Sequence, residues 1–215
     1  MAAKKPAAPP PITASLLDMD AKISMIKSSK RNIVQQNIHA DHCTVKKIGL
    51  ISDTHGWLDD AVFRHFESCD EIWHAGDIGS VELLESLRKF KPVKAVFGNI
   101  DDTAIRTLTP EVIVEKIENL KILMIHIGGK PGNYAKGVAD LIRQNNPDVF
   151  ICGHSHICAV KRDPALNTLY MNPGAAGKHG FHHMRTILRF DVDGHQLKNL
   201  EVIELGKRTD QAGSM

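Results

Sequence analysis

From Val45 onward, short apolar runs alternate with polar stretches, and each run is too short for a membrane span and too uniform for a surface helix. Val45 to Ile51 predicts a buried strand ending in the polar turn Ser52-Asp53-Thr54-His55-Gly56. A helix is predicted over Leu58 to Glu67, followed by a short strand, Glu71 to His74, that stops at Ala75-Gly76-Asp77. Ser80 can cap a helix carrying Leu83, Leu84 and Leu87, and Val93 to Phe97 is a third strand, ending at Gly98-Asn99. Val112 to Ile117 and Lys121 to Ile127 read as an antiparallel pair, the second ending at His126. A helix over Tyr134 to Gln144 precedes the strand Val149 to Cys152, which ends at Gly153-His154-Ser155-His156. Strands near Thr168 to Met171, Thr186 to Phe190 and Leu200 to Leu205 complete the pattern. Alternating strands and helices predict an α/β fold.

The segment before Val45 is different. Met1 to Pro11 is low-complexity and rich in Pro and Ala, which favours an extended, solvated chain, and Ile12 to Arg31 has apolar positions compatible with a helix or with looser structure. The expected organisation is an N-terminal extension over 1–44, disordered or loosely ordered, one domain over 45–205, and a polar tail over 206–215. No fixed-period repeat occurs.

Composition sharpens this picture in three ways. Hydrophobic residues make up 42% of the 215 and aromatics only 5%, so the core is expected to be aliphatic and sheet-rich. The net charge of +2 divides into +3 before Val45 and −1 after it, so the domain carries no basic footprint for long nucleic acids. Small or local phosphate substrates suit it better. Cys43, Cys69, Cys152 and Cys158 form no C-x-x-C pair and no dense disulfide framework, which favours the cytoplasm. Neither a signal-peptide apolar region nor a membrane span is expected, and a homo-oligomer stays open.

The chemistry lies at the strand ends. Asp53-x-His55 pairs a carboxylate with an imidazole two residues on, and in extended chain both project to one side. Asp77 adds a carboxylate able to bridge two cations, Asn99 an amide oxygen, His126 an imidazole, and His154-x-His156 repeats the two-residue spacing. Singly, each has an ordinary structural reading: a turn, a helix cap, a satisfied core histidine. Five successive strand ends carrying such groups point to one site, because ligands of α/β folds bind at the carboxyl ends of strands. Gly76, Gly98 and Gly153 fit sharp turns there.

With these motifs, together with Gly98-Asn99-Ile100-Asp101 and Asn172-Pro173-Gly174, the chain resembles the calcineurin-like metallophosphoesterases, and within them the small YfcE-type phosphodiesterases, over roughly Val45 to Leu205. The resemblance implies a four-layer α/β/β/α sandwich with mixed sheets. It also implies that Asp53, His55, Asp77 and His156 bind one metal while Asp77, Asn99, His126 and His154 bind a second, with Asp77 bridging. A hydroxide between the cations would then hydrolyse a phosphodiester. Mixed nitrogen and oxygen donors suit Mn²⁺ best, with Ni²⁺, Fe²⁺, Co²⁺ or Zn²⁺ also suitable.

Two positions depart from the family. Many larger members carry a histidine, which helps the leaving group, where this chain has Ile100; and His126 is followed by Ile127-Gly128-Gly129 instead of by glycine and a second histidine. The retromer subunit of the same fold also lacks that histidine and works by binding partners, so a non-catalytic metal-binding scaffold is the rival expectation. Lys178, as a phosphate-oxygen contact, and His179, as a proton donor, follow a loop that the family places near the metals. His74, just upstream of Asp77, either orients a ligand or is a satisfied buried histidine, and His182 and His183 read as surface residues. His39-x-x-His42-Cys43 has no matching ligand pair and reads as coincidence.

Overall fold

The computed structural model describes residues 45–209, so the readings before Val45, His39-x-x-His42-Cys43 included, lie outside the described residues. Within them, β1 (Lys46–Ile51), β2 (Glu71–His74) and β3 (Val93–Ala95) run parallel, and β11 (Met184–Asp193) and β12 (Gln196–Lys207) join antiparallel, in the order β12-β11-β1-β2-β3. The second sheet has the order β4-β5-β8-β10-β9. Here β5 (Leu120–Ile125), β8 (Val149–Ile151) and β10 (Thr168–Pro173) are parallel, edged by antiparallel β4 (Val112–Ile117) and β9 (Cys158–Asp163). A two-stranded hairpin, β6 (Gly129–Lys130) with β7 (Asn133–Tyr134), stands apart. Both large sheets are mixed, as expected.

Strand alternation builds the layers. Ile48, Leu50 and Trp73 of one sheet meet Ile122, Met124 and Ile151 of the other, whereas Ile51, Ile72 and Ile187 face the opposite way. That outer face packs on Val62 and Phe66 of α1 (Asp60–Phe66), on Leu83, Leu84 and Leu87 of α2 (Val81–Phe90), and on Ile105 of α3 (Thr103–Leu108). Leu123, Ile125 and Phe150 cover the outer face of the second sheet and pack on Val138 and Ile142 of α4 (Val138–Asn145). The result is the four-layer α/β/β/α sandwich.

Local signals explain the starts of three helices. Ser80 caps α2 by accepting from Leu83 N–H at 3.2 Å, and Asp59 caps α1 by accepting from Ala61 N–H at 2.9 Å. Asp102 does the same for α3, a helix too short for its periodicity to show in the sequence. The helix expected from Tyr134 starts instead at Val138, because Tyr134 is taken by the hairpin and Gly137 turns the chain with φ 81°. The last strand begins four residues earlier and ends two later than the pattern of apolar positions suggests.

Candidate metal centre

Each proposed ligand follows a parallel strand: Asp53 and His55 follow β1, Asp77 follows β2, Asn99 follows β3, His126 follows β5, and His154 and His156 follow β8. Parallel strands share a carboxyl edge, so their loops converge. The loops also lace to one another: Asp53 N–H donates to Gly76 carbonyl at 3.0 Å, His55 N–H to Asp77 carbonyl at 3.0 Å, and Gly153 N–H to His126 carbonyl at 3.0 Å.

The backbone differs from the extended conformation expected for the two D-x-H and H-x-H spacings. Asp53, His55, Asp77, His154 and His156 all have left-handed φ, between 49° and 66°. That region costs a residue with a Cβ about 1–2 kcal/mol, and its concentration here marks a site held in place by its surroundings. Of the three flanking glycines, only Gly76 has a positive φ. Gly98 is needed for space, since a Cβ there would lie 2.0 Å from Asp77 Oδ1.

Two groups of side chains come together with their ligand atoms within 4.8 Å: Asp53, His55 and His156, and Asp77, His126 and His154. In the first, His156 Nε2 lies 3.3 Å from both Asp53 Oδ1 and His55 Nε2. In the second, His126 Nε2 lies 3.2 Å from both Asp77 Oδ1 and Asn99 Oδ1. Asp77 turns its other oxygen, Oδ2, towards His55 Nε2 at 3.8 Å.

Hydrogen bonding shows what these atoms want. His126 Nδ1 is 2.8 Å from Ala75 carbonyl oxygen, which only accepts, so Nδ1 carries hydrogen and a neutral ring presents the Nε2 lone pair to two oxygens. Such a meeting of acceptors calls for either a proton on Nε2, which makes the ring an imidazolium, or a metal cation between the atoms. Accordingly, although burial opposes charge on His126, its hydrogen bond to Asp77 and the charges of Asp53 and Asp77 raise its pKa. Asp77 responds in the opposite sense: burial raises it, but the His126 contacts and Ile100 N–H outweigh burial and lower its pKa. For His55, burial dominates over the attraction of Asp77 and Asp53 and lowers the pKa, leaving a neutral ligand-like ring. The donor set of imidazoles, carboxylates and an amide oxygen fits divalent transition-metal cations.

Other residues brace the centre. His74 is buried, with Nε2 on Thr54 Oγ1 at 2.9 Å and Nδ1 accepting from Gly76 N–H at 3.2 Å, and burial pushes its pKa down to about 4. It ties together the turns that carry Asp53 and Asp77. Asp101, included in a motif without a role, is buried and accepts from Ile78, Gly79 and Gly98 N–H at 3.1, 2.8 and 2.7 Å. Asn172 donates to Gly153 carbonyl at 2.8 Å and so pins the loop bearing His154.

The loop after Asn172-Pro173-Gly174 reaches the site. His179 stacks near His55 with ring centroids 4.9 Å apart, and Lys178 Nζ sits 4.2 Å over the Trp57 ring. His183 is exposed as expected, but His182 corrects the surface reading: it is half-buried, with Nδ1 3.2 Å from His156 Nδ1. Nothing in the local sequence signals this, because the partner lies 26 positions away.

A four-layer sandwich with paired metal-competent groups at one strand edge defines a metallophosphoesterase-type domain. The chain belongs to the calcineurin-like phosphoesterase superfamily, whose domain matches residues 47–195. It is 35% identical over 135 residues to a probable metallophosphoesterase of Methanocaldococcus jannaschii, covering 60% of this chain and 67% of that one. Among solved structures, an archaeal phosphodiesterase is similar at 23% identity and a TM-score of 0.58, over 74% of this chain and 99% of that one. Vps29 of Entamoeba histolytica, complexed with Zn²⁺, is similar at 18% identity and a TM-score of 0.59, over 76% and 99%. The fold is thus shared by a phosphodiesterase and by Vps29.

Proposed function

We propose that this chain hydrolyses phosphodiesters at a centre of two divalent cations, Mn²⁺ being the best match to its donors. The observation that carries the reading is Asp77, which offers Oδ1 beside His126 and Oδ2 beside His55, one oxygen to each group. Asp53, His55, Asp77 and His156 would hold one cation, and Asp77, Asn99, His126 and His154 the other. Cations held there would polarise phosphoryl oxygens and lower the pKa of bound water towards neutrality. The chain's own part is orientation: the Ala75 carbonyl aims His126, and Asp53 accepts His154 N–H at 3.1 Å, which fixes the turn beneath that ring. His179, beside His55, is placed to pass a proton to a departing oxygen, and Lys178, held over Trp57, to meet a phosphate oxygen.

Two cavities favour a diester over a monoester. One of about 560 Å³ is lined by Asn99 and His126 together with Phe97, Val138 and Leu141. The other, of about 450 Å³, is lined by His154 with Ile157, Tyr170, Lys130 and Lys161. A phosphate flanked by both has room for an organic substituent on each side. Free Cys69, Cys152 and Cys158 agree with a reducing compartment such as the cytoplasm. Among the described residues no helix is long and apolar enough to cross a membrane.

A second reading has its own support. Ile100, Ile127, Ile157 and Phe181 are exposed, and the three isoleucines directly follow Asn99, His126 and His156. An apolar rim of this kind also suits a protein partner, as a metal-binding scaffold would require. Turnover separates the two: with Mn²⁺ loaded, bis(p-nitrophenyl) phosphate should be cleaved faster than p-nitrophenyl phosphate. Full metal occupancy with no cleavage of any ester would leave the scaffold.

A further inference from the structure

We propose that His182 is a positioning residue that sets the tautomer of His156 and so aims its Nε2 lone pair into the group formed with Asp53 and His55. This rests on the reading of His156 as a metal ligand. His182 Nε2 lies 3.0 Å from the Gly177 carbonyl oxygen, which can only accept, so in the neutral ring Nε2 carries the hydrogen and Nδ1 is the acceptor. The group facing that acceptor is His156 Nδ1, at 3.2 Å, which must therefore be the donor. His156 Nε2 is left with its lone pair, 3.3 Å from Asp53 Oδ1 and 3.3 Å from His55 Nε2.

The contacts close a circuit. Gly177 N–H donates to the Asp53 carbonyl at 3.0 Å, so the loop supporting His182 is anchored on the ligand-bearing residue that its relay serves. Arg208 Nε donates to the His182 carbonyl at 3.2 Å and steadies the same loop from β12's end. The loop backbone passes directly over the ring, since a Cβ on Gly180 would fall 2.3 Å from His156 Nδ1. His126 has no need of such help, because its Nδ1–H meets the Ala75 carbonyl, next to the end of β2. One metal group is therefore aimed by the sheet edge and the other by a loop histidine, and only the second should feel a change at position 182.

The test uses the full chain and titrates Mn²⁺ by calorimetry into wild type, His182→Phe and His182→Asn, while long-range ¹H–¹⁵N spectra report the His156 tautomer. Phenylalanine keeps a ring of similar shape without an acceptor, and the asparagine amide oxygen can stand in for Nδ1. His182→Phe should weaken one of two sites by about 10–100-fold and leave the other unchanged. His182→Asn should keep both within a few-fold, with His156 protonated on Nδ1 as in wild type. The proposal is overturned if His182→Phe binds both cations normally with the tautomer unaltered, or if His182→Asn falls as far as His182→Phe. A wild-type protein that binds no cation would remove the metal reading instead, and the tautomer comparison would still decide the hydrogen bond.

Discussion

At the scale of single residues, Asp77 is the point on which both groups depend. Its carboxylate reaches both, and the space for it exists only because residue 98 has no side chain. On the proposed two-cation reading, Asp77→Asn should lower the bound metal and reduce activity by more than the roughly 10–100-fold typical of changes behind a ligand. Gly98→Ala should do the same without altering any ligand, as metal analysis of the purified variants will show. Wild-type metal content in both would sink the bridging role.

His126 adds a pH dependence whose sign can be worked out. Its raised pKa means the metal-free fold binds the proton more tightly than the unfolded chain does. The stability this contributes is fully present below the ordinary histidine value, about 6.5, and is lost as pH rises through the raised one. A metal must displace that proton, so Mn²⁺ affinity should fall as pH drops through the same range, with protons released on binding. Calorimetry in buffers of different ionisation enthalpy measures this; affinity independent of pH would contradict it.

Ile100 places an exposed apolar side chain next to Asn99, where it can give no proton to a leaving group. Loss of general-acid help costs about 10²–10⁴-fold for poor leaving groups and little for good ones. Rates across a series of aryl esters should therefore depend steeply on leaving-group pKa, and Ile100→His should flatten the dependence. A flat wild-type series, with chemistry rate-limiting, would assign the proton to another group, His179 first.

At the scale of elements, the loops after β2 and β3 are held by one buried carboxylate. Asp101 accepts three main-chain N–H groups that have little else to meet. Asp101→Ala should destabilise the fold by about 2–4 kcal/mol, given roughly 1–3 per buried donor left unpaired and partial relaxation. It should weaken metal binding as well, and denaturant unfolding followed by metal titration reads both. A variant as stable as wild type would show that water satisfies those donors.

The same elements show what was legible beforehand. Strand ends carrying Asp53, Asp77, Asn99, His126 and His154 were readable because a short aliphatic run and its polar stop lie together in sequence. The left-handed turns at those residues were not, since Asp and His commonly favour extended or helical backbone and only the packed loops impose the alternative. The β6–β7 hairpin and α3 are too short to carry a period, and the hairpin displaced the start of α4. His182 reads as a surface residue in the sequence because its contact with His156 comes from a loop folding back across 26 positions.

At the scale of the domain, two mixed sheets stack so that the carboxyl ends of five strands, β1, β2, β3, β5 and β8, bring the candidate ligands to one edge. Alternation explains how the sheets bury both faces: along the central strands one face feeds the inter-sheet core and the other feeds the helices. Chemistry is thereby confined to the loops, and the resemblance seen in the motifs extends to the whole sandwich. The central claim is that this edge holds two cations bridged by Asp77. Anomalous diffraction from crystals grown with Mn²⁺ tests it most directly, and the account predicts two peaks about 3.5–4 Å apart, one on each side of the Asp77 carboxylate. A single peak, or two that do not share Asp77, would contradict it.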